Sequence, residues 1–137
     1  MKLISTALAV FLLAGCAQAQ PAVQVEPDQA FRLLVGETAQ VVAGPTITFL
    51  TIERDSRCPA NVQCVWAGEA IALFRVAIGS QATEIRMVIP GGRGVGTGVD
   101  LSSGGLLVQR LGPYPGTPEA AHLAPTYAVL RFLPATD

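Results

Sequence analysis

The sequence has a single lysine, a single histidine and a single tryptophan among its 137 residues. Schiff-base chemistry and nucleotide-binding P-loops both need lysine, and Lys2 lies in a segment that we expect to be removed. His122 has no Gly-x-Ser-x-Gly motif or other recognisable nucleophile context to accompany it, so the sequence offers no catalytic triad. We therefore expect a protein that is not an enzyme and that carries no cofactor.

Charge of either sign is also scarce. Charged residues make up 14% of the chain, and 9 Lys+Arg against 10 Asp+Glu give a formal net charge of −1. This balance excludes a strongly basic nucleic-acid binder, so no nucleic-acid partner is expected. Loss of Lys2 with an N-terminal signal would leave only arginines as basic residues, which excludes a polybasic membrane-binding patch. The length fits one domain.

No hydrophobic run near the N-terminus is long enough to cross a membrane. Residues 3–15 are uncharged and follow Lys2, but a membrane span needs about 20 residues, so this segment is typical of an export signal. Residues 13–16, Leu13-Ala14-Gly15-Cys16, resemble the lipobox of bacterial lipoproteins. The resemblance implies a diacylglycerol on the Cys16 sulfur, cleavage before Cys16, and usually a third acyl chain, such as palmitate, on the new amino terminus.

An ordinary secreted protein cleaved at Ala17 or Ala19, with Cys16 discarded, is the alternative. Two or three acyl chains would anchor the protein stably. Ala17 and Gln18 follow the anchor without an adjacent aspartate, which resembles lipoproteins that are passed to the outer membrane. We expect a lipid-anchored protein of the cell envelope that faces the periplasm, in the outer rather than the inner membrane.

The remainder of the chain divides into a tether and a folded domain. Residues 16–27 are small and polar with two prolines, which predicts a flexible tether between the signal peptide at 1–15 and a domain at 28–137. Val23 and Val25 within that tether also fit the start of an edge strand, and we keep this as an alternative. Short β-branched and apolar runs separated by Gly, Pro and Ser then predict an all-β domain. The predicted strands are 30–35, 38–43, 46–53, 69–78, 82–89, 105–111 and 126–133.

These elements predict a single small β-sandwich of about seven strands, immunoglobulin-like in shape, or a distorted barrel, with one disulfide-stapled loop. Residues 69–78 are apolar on both alternating faces, so this strand is expected to be central, with 82–89 as its hairpin partner. The first segment also fits a helix from Asp28 to Gly36, but we prefer a strand. A short helical turn is expected where Thr117 caps Pro118, and it would carry residues 120–123.

Cys58 and Cys64 lie between the third and fourth predicted strands, and in an oxidising compartment they are expected to form a disulfide. A redox pair usually has two intervening residues, whereas this pair has five. A metal site would need further ligands, for which Met87 and His122 are the available residues, although Met87 is expected in the core. The alternative function is therefore a small-ligand or metal-handling periplasmic protein that uses these cysteines or a glycine-rich loop.

The segment around these cysteines carries a second resemblance. Residues 55–68 read Asp-Ser-Arg-Cys-Pro, a short gap, and then Cys-Val-Trp-Ala-Gly. This pattern is similar to one that recurs in small exported bacterial β proteins, many of them lipoproteins, and Gly-Pro-Tyr-Pro at residues 112–115 also resembles that group. The group has no activity to carry over, so the resemblance implies fold and compartment only.

Four side chains of this segment form a candidate binding surface: Asp55, Arg57, Trp66 and Glu69. Tryptophan and arginine are enriched at binding hot spots, and a disulfide would hold them in place. A structural interpretation stays open beside it. In that interpretation Asp55 closes a turn, Arg57 pairs with Asp55 or Glu53, and Trp66 packs on the disulfide as part of the core.

The remaining signals are weaker. Residues 91–98 are rich in glycine and include Arg93, so their N–H groups would suit an anion, but they follow a hairpin and contain no Gly-Lys-Ser/Thr, and a mobile connection is expected. Tyr114 is expected to cover one end of the sandwich. The leading hypothesis is a non-catalytic cell-envelope lipoprotein whose loops or sheet edge contact an envelope protein, a peptide or a glycan. A hydrolase or an inhibitor that acts through a loop also stays open.

Overall fold

A computed structural model describes residues 21–92 and 96–136. The predicted signal peptide, Cys16, the first part of the tether and Arg93 lie outside the described residues. The described part contains nine strands and one short helix, and the all-β prediction is confirmed. In chain order they are β1 (Val23–Val25), β2 (Ala30–Leu34), β3 (Thr38–Val41), β4 (Thr46–Asp55), β5 (Glu69–Ile78), β6 (Gln81–Pro90), β7 (Thr97–Leu101), β8 (Gly104–Gly112), α1 (Pro118–Ala121) and β9 (Tyr127–Pro134).

The strands form two sheets that face each other. One sheet has the order β1-β3-β4-β5-β6 and the other has the order β2-β9-β8-β7. Each sheet has two edge strands. The fold is therefore a sandwich, and the alternative of a distorted barrel does not apply, because the strands do not close into a barrel. The expectation of a central strand at 69–78 is confirmed, because β5 pairs with β4 on one side and β6 on the other. Ile78 lies opposite Gln81, as predicted for the hairpin.

Alternation along the strands places the core between the sheets. In β5 the side chains of Ala70, Ala72, Phe74 and Val76 are buried, and the residues between them face outward. The Phe74 ring stacks on Phe49 of β4 with 4.9 Å between ring centroids. The facing sheet contributes a matching apolar row, which includes Leu33, Leu106, Val108, Leu130 and Phe132. Because stacked aromatic rings bury large apolar areas, this pair forms the centre of the five-stranded sheet's inner face.

Two strands lie where the sequence predicted connections, which raises the number from about seven to nine. β1 lies inside the predicted tether and pairs parallel with β3, where Val25 is opposite Val41. β7 begins at Thr97, inside the glycine-rich segment 91–98 for which a mobile connection was expected, and pairs with β8. Val25, Val99 and Leu101 pack against the core, so each extra strand buries apolar side chains. The alternative of an edge strand at Val23 and Val25 is confirmed as β1, whereas the glycines beside β7 left too short a pattern to predict that strand.

The two helix predictions have different outcomes. The segment after Asp28 is strand β2, with Leu33 buried and its neighbours more exposed, so the alternative of a helix there is wrong. The helical turn after Thr117 is confirmed as α1, and the Thr117 hydroxyl accepts a hydrogen bond from the Ala120 N–H. It ends before Leu123, which the prediction had included. Within the described ranges no helix is long and apolar enough to cross a membrane.

Candidate functional site

The disulfide loop, residues 56–68, joins β4 to β5 and is closed by the predicted bond between Cys58 and Cys64, whose Cα atoms are 5.9 Å apart. Its two arms continue the pairing of the strands. The Ser56 N–H donates to the Glu69 carbonyl at 2.8 Å, and the Cys58 N–H donates to the Ala67 carbonyl at 2.8 Å. The loop is therefore held at its base by the sheet and at its tip by the disulfide.

Arg57 fastens the loop to the end of β8 in the other sheet. Its guanidinium pairs with Asp55 at 2.6 Å, donates to the Leu111 carbonyl at 2.8 Å and to the Pro113 carbonyl at 3.4 Å, and lies 4.8 Å above the Tyr114 ring. Only 5% of the residue is exposed. The prediction that Arg57 belongs to a binding surface is wrong, because the side chain is used for internal contacts. The alternative pairing with Asp55 is confirmed.

Glu69 and Asp55, the predicted acidic members of the surface, are also engaged. Asp55 accepts both from the Arg57 side chain and from the Arg57 N–H. Glu69 begins β5 and pairs across the sheet with Arg54 at 2.7 Å, in contact with solvent. Of the four predicted residues, Arg57 is buried and pairs with the more exposed Asp55, Glu69 pairs with Arg54 in contact with solvent, and Trp66 has no such partner among the described residues.

Trp66 points away from the fold. Its side chain is 70% exposed, Val65 beside it is fully exposed, and Val62 on the same loop is 55% exposed. The interpretation of Trp66 as a core residue packed on the disulfide is wrong. The backbone explains the outward direction: Gly68, with φ of +70°, passes against the Ser56 carbonyl so closely that no side chain fits, and the residues before it are turned into solvent.

A cleft of about 570 Å³ lies between the disulfide loop and the segment around Tyr114. Its volume is within the range of small-ligand sites. Most of its wall is apolar, and the residues that line it are Cys58, Pro59, Ala60, Val62, Gly92, Arg110, Tyr114 and Thr117. The expectation that Tyr114 lies at one end of the sandwich fits its place in this wall. The cleft brings together the predicted disulfide loop and the start of the predicted glycine-rich segment.

The two hydroxyl groups in the cleft already make hydrogen bonds within the protein. The Tyr114 hydroxyl accepts from the Gly92 N–H at 3.1 Å. The Thr117 hydroxyl donates to the Tyr114 carbonyl at 2.6 Å and accepts from the Ala120 N–H at 3.4 Å. Arg110 is the remaining polar side chain of the wall, and its guanidinium carbon lies 5.4 Å from the centroid of the Tyr127 ring.

Sequence reasoning missed Arg110 and its neighbour Arg32. Arg32 lies opposite Val129 in the register of β2 with β9, and Arg110 lies opposite the same Val129 in the register of β8 with β9. The Arg32 guanidinium stacks on Tyr127 at 3.8 Å. Alternation along each strand predicts that both side chains point outward. Their proximity to each other depends on the registers of β2 and β8 with β9 and on a bulge at residue 109.

The candidate metal ligands are dispersed. Met87 is buried in the core, as predicted, and His122 is exposed at the end of α1. Both cysteine sulfurs are joined to each other, so neither is a free thiolate while the bond is intact. Among the described residues no group of three or more His, Cys, Asp or Glu side chains is placed to hold a metal ion.

One carboxyl group near the loop has a perturbed acidity. The hydrogen bond and charge of Arg86, 2.7 Å away, hold the pKa of the Glu53 carboxyl below its usual value. The same pair raises the pKa of the Arg86 guanidinium. The pair crosses the outer face of the five-stranded sheet, so its charges are in contact with water.

Comparison with family models, with curated proteins and with solved structures finds no match to this chain.

Proposed function

We propose that the protein is a non-catalytic lipoprotein of the cell envelope, anchored through acyl chains on Cys16, and that the disulfide loop and the cleft beside it dock a polypeptide partner. The observation that carries this proposal is the exposure of three apolar side chains, Val62, Val65 and Trp66, on a loop that is fixed to the body of the fold. Exposed tryptophan beside apolar neighbours is typical of binding hot spots.

Rigidity of the loop supports docking. The disulfide closes its tip, and Arg57 ties its base to the carbonyls of Leu111 and Pro113. A side chain presented on a fixed backbone loses little conformational freedom when a partner covers it, and more of the contact energy then contributes to affinity. An exposed tryptophan on a loose loop would lack this advantage.

The chemistry of the wall favours a polypeptide over the other predicted partner, a glycan. Sugar hydroxyls need many hydrogen-bond partners, and the cleft offers few. The Thr117 hydroxyl both donates and accepts within the protein, and the Tyr114 hydroxyl, which accepts from the Gly92 N–H, has one proton left to donate. An apolar side chain of a partner protein needs no hydrogen-bond partner. The exposed side chains also extend beyond the cleft, so the occupant is larger than a small molecule confined to it.

The alternative of a small-ligand protein is supported by one observation, the volume of the cleft. That alternative assigned a role to Cys58, and Cys58 does line the cleft. A small ligand in the cleft would leave Val65 and Trp66 exposed to water. We therefore prefer docking of a polypeptide to binding of a small ligand. Metal handling would require reduction of the disulfide before the cysteine sulfurs become ligands.

Site-specific photo-cross-linking in cells tests docking. A benzoylphenylalanine at position 66 is expected to cross-link to a defined envelope protein, and Val62→Ser in the same chain should reduce the yield. The control places the cross-linker at Thr83, which is exposed on β6, away from the disulfide loop. The captured protein, identified by mass spectrometry, must then bind the purified lipoprotein. Equal yields at positions 66 and 83 would contradict docking through the loop.

A further inference from the structure

Two arginines stand apart from the others in the described ranges. Five arginines pair with an acidic side chain at 2.6 to 2.8 Å: Arg54 with Glu69, Arg57 with Asp55, Arg75 with Glu84, Arg86 with Glu53 and Arg131 with Asp28. Within residues 21–92 and 96–136, Arg32 and Arg110 have no such partner. A protein with more acids than bases thus leaves two exposed guanidinium groups without an acid.

These two arginines converge on one ring. Both guanidinium carbons lie within 5.4 Å of the centroid of Tyr127, at 3.8 Å for Arg32 and 5.4 Å for Arg110. The acid of this neighbourhood, Glu119, accepts from the Tyr127 hydroxyl at 3.3 Å at the far end of the ring. The two arginines lie on the strands that flank β9, so their like charges repel each other across it, and a bound anion would reduce that repulsion.

The position of Arg110 links this charge to the cleft. Arg110 lines the cleft, whose wall is otherwise mostly apolar and whose Thr117 hydroxyl is engaged within the protein. A guanidinium only donates hydrogen bonds, and it matches the two oxygens of a carboxylate. The occupant of the cleft should therefore carry an apolar group and, next to it, one anionic group.

We propose, building on the docking function above, that the cleft binds the free C-terminus of the partner polypeptide, with its last apolar side chain between the disulfide loop and Tyr114 and its carboxylate on Arg110. Arg32 adds a second positive charge beside that carboxylate. An internal segment laid through the cleft would bring backbone N–H and C=O groups that the apolar wall leaves unpaired. A chain end brings one terminal residue and its anion, and capture of a C-terminal carboxylate is a recurring mode of peptide recognition.

Fluorescence anisotropy with two peptides tests the proposal on the mature lipoprotein in lipid nanodiscs. The probes are fluorescein-labelled hexapeptides of glycine and serine that end in phenylalanine, one with a free carboxylate and one with a C-terminal amide. The free acid is expected to bind at least about tenfold more tightly, because a charge-assisted hydrogen bond is lost in the amide. Arg110→Gln should abolish the difference, and Arg32→Gln should reduce it.

Arg75→Gln is the matched control, since Arg75 is an exposed arginine on the opposite sheet, and it should leave the tenfold difference intact. If acid and amide bind equally well to the unsubstituted protein, the carboxylate proposal is overturned, while docking in the cleft stands. If neither peptide binds, the proposal is also overturned, and the cross-link from position 66 decides on docking. Should Arg110→Gln fail to fold, as judged by circular dichroism, Arg32→Gln replaces it, and an undiminished preference for the acid in that variant would overturn the proposal.

Discussion

At the scale of single residues, Arg57 and Trp66 have roles opposite to what their chemistry suggests. The charged side chain is buried and the aromatic one is exposed. Arg57 is stabilised inside by Asp55 and two carbonyl groups, so its charge is compensated. Trp66 adds little to the core and is free to contact another molecule.

Removal of Arg57 should destabilise the fold. Arg57→Ala leaves the Leu111 carbonyl and the Asp55 carboxylate without their partner, and breaking a largely buried ion pair costs about 3 kcal/mol. Urea unfolding followed by far-UV circular dichroism measures the loss. Arg54→Ala removes an exposed pair with Glu69 and should change the free energy of unfolding by less than about 1 kcal/mol. Equal effects of the two substitutions would contradict the internal role of Arg57.

The fluorescence of Trp66 gives a direct readout of its exposure, because it is the one tryptophan of the chain. Acrylamide should quench its emission almost as efficiently in the folded protein as in urea, and Trp66→Ser should change stability by no more than about 0.5 kcal/mol. A blue-shifted, protected emission in the folded state would place the ring inside and would remove the basis for docking.

At the scale of elements, the turn into β5 sets the direction of the disulfide loop. Gly68 has φ of +70°, and a methyl group there would meet the Ser56 carbonyl. Gly68→Ala should therefore cost about 3 kcal/mol, from the left-handed backbone and from the clash. Gly79 is the matched control: its φ is +60° but nothing lies within 4 Å, so Gly79→Ala should cost only about 1 kcal/mol. Equal costs in thermal or urea unfolding would refute the close approach at Gly68.

The ion pair between Glu53 of β4 and Arg86 of β6, which crosses β5, gives a pH dependence. Arg86 lowers the pKa of Glu53, so the ion pair stabilises the folded state above the unfolded pKa and loses this effect as pH falls through the folded pKa. Glu53→Gln should therefore lower stability near neutral pH and match the unsubstituted protein in strong acid. Urea midpoints across the acid range measure this. Added salt should shrink the difference, because the pair is in water; a difference that grows towards low pH would contradict the assignment.

The elements that the sequence predicted well are those with long alternating patterns. Residues 69–78 coincide with β5, because ten residues of alternation and the Gly79-Ser80 turn define both ends. β7 was missed because five residues beside glycines carry too little pattern, and β1, with three residues, could be given only as an alternative to the tether. The disulfide loop has no repeating pattern of apolar and polar residues. The directions in which the Arg57 and Trp66 side chains point therefore depend on tertiary contacts that the sequence pattern does not show. Arg32 and Arg110 meet only through the register of three strands.

At the scale of the whole molecule, the proposed anchor and the sandwich lie close together. β1 begins at Val23, so the linker after Cys16 is shorter than the predicted tether of residues 16–27. At a maximum of about 3.5 Å per residue, the proposed acylation of Cys16 would keep the fold within about 25 Å of the anchor. Under this proposal, a partner of the disulfide loop would meet it near the membrane surface.

Intact mass spectrometry of the protein purified from its own envelope tests this arrangement most directly. With alkylation before and after reduction, we expect the mass of residues 16–137 plus acyl chains, and two alkylated thiols that appear only after reduction. These results would establish both the anchor on Cys16 and the bond between Cys58 and Cys64 in the cell. A mass without acyl chains, or thiols that alkylate without reduction, would contradict a lipid-anchored, disulfide-braced docking module.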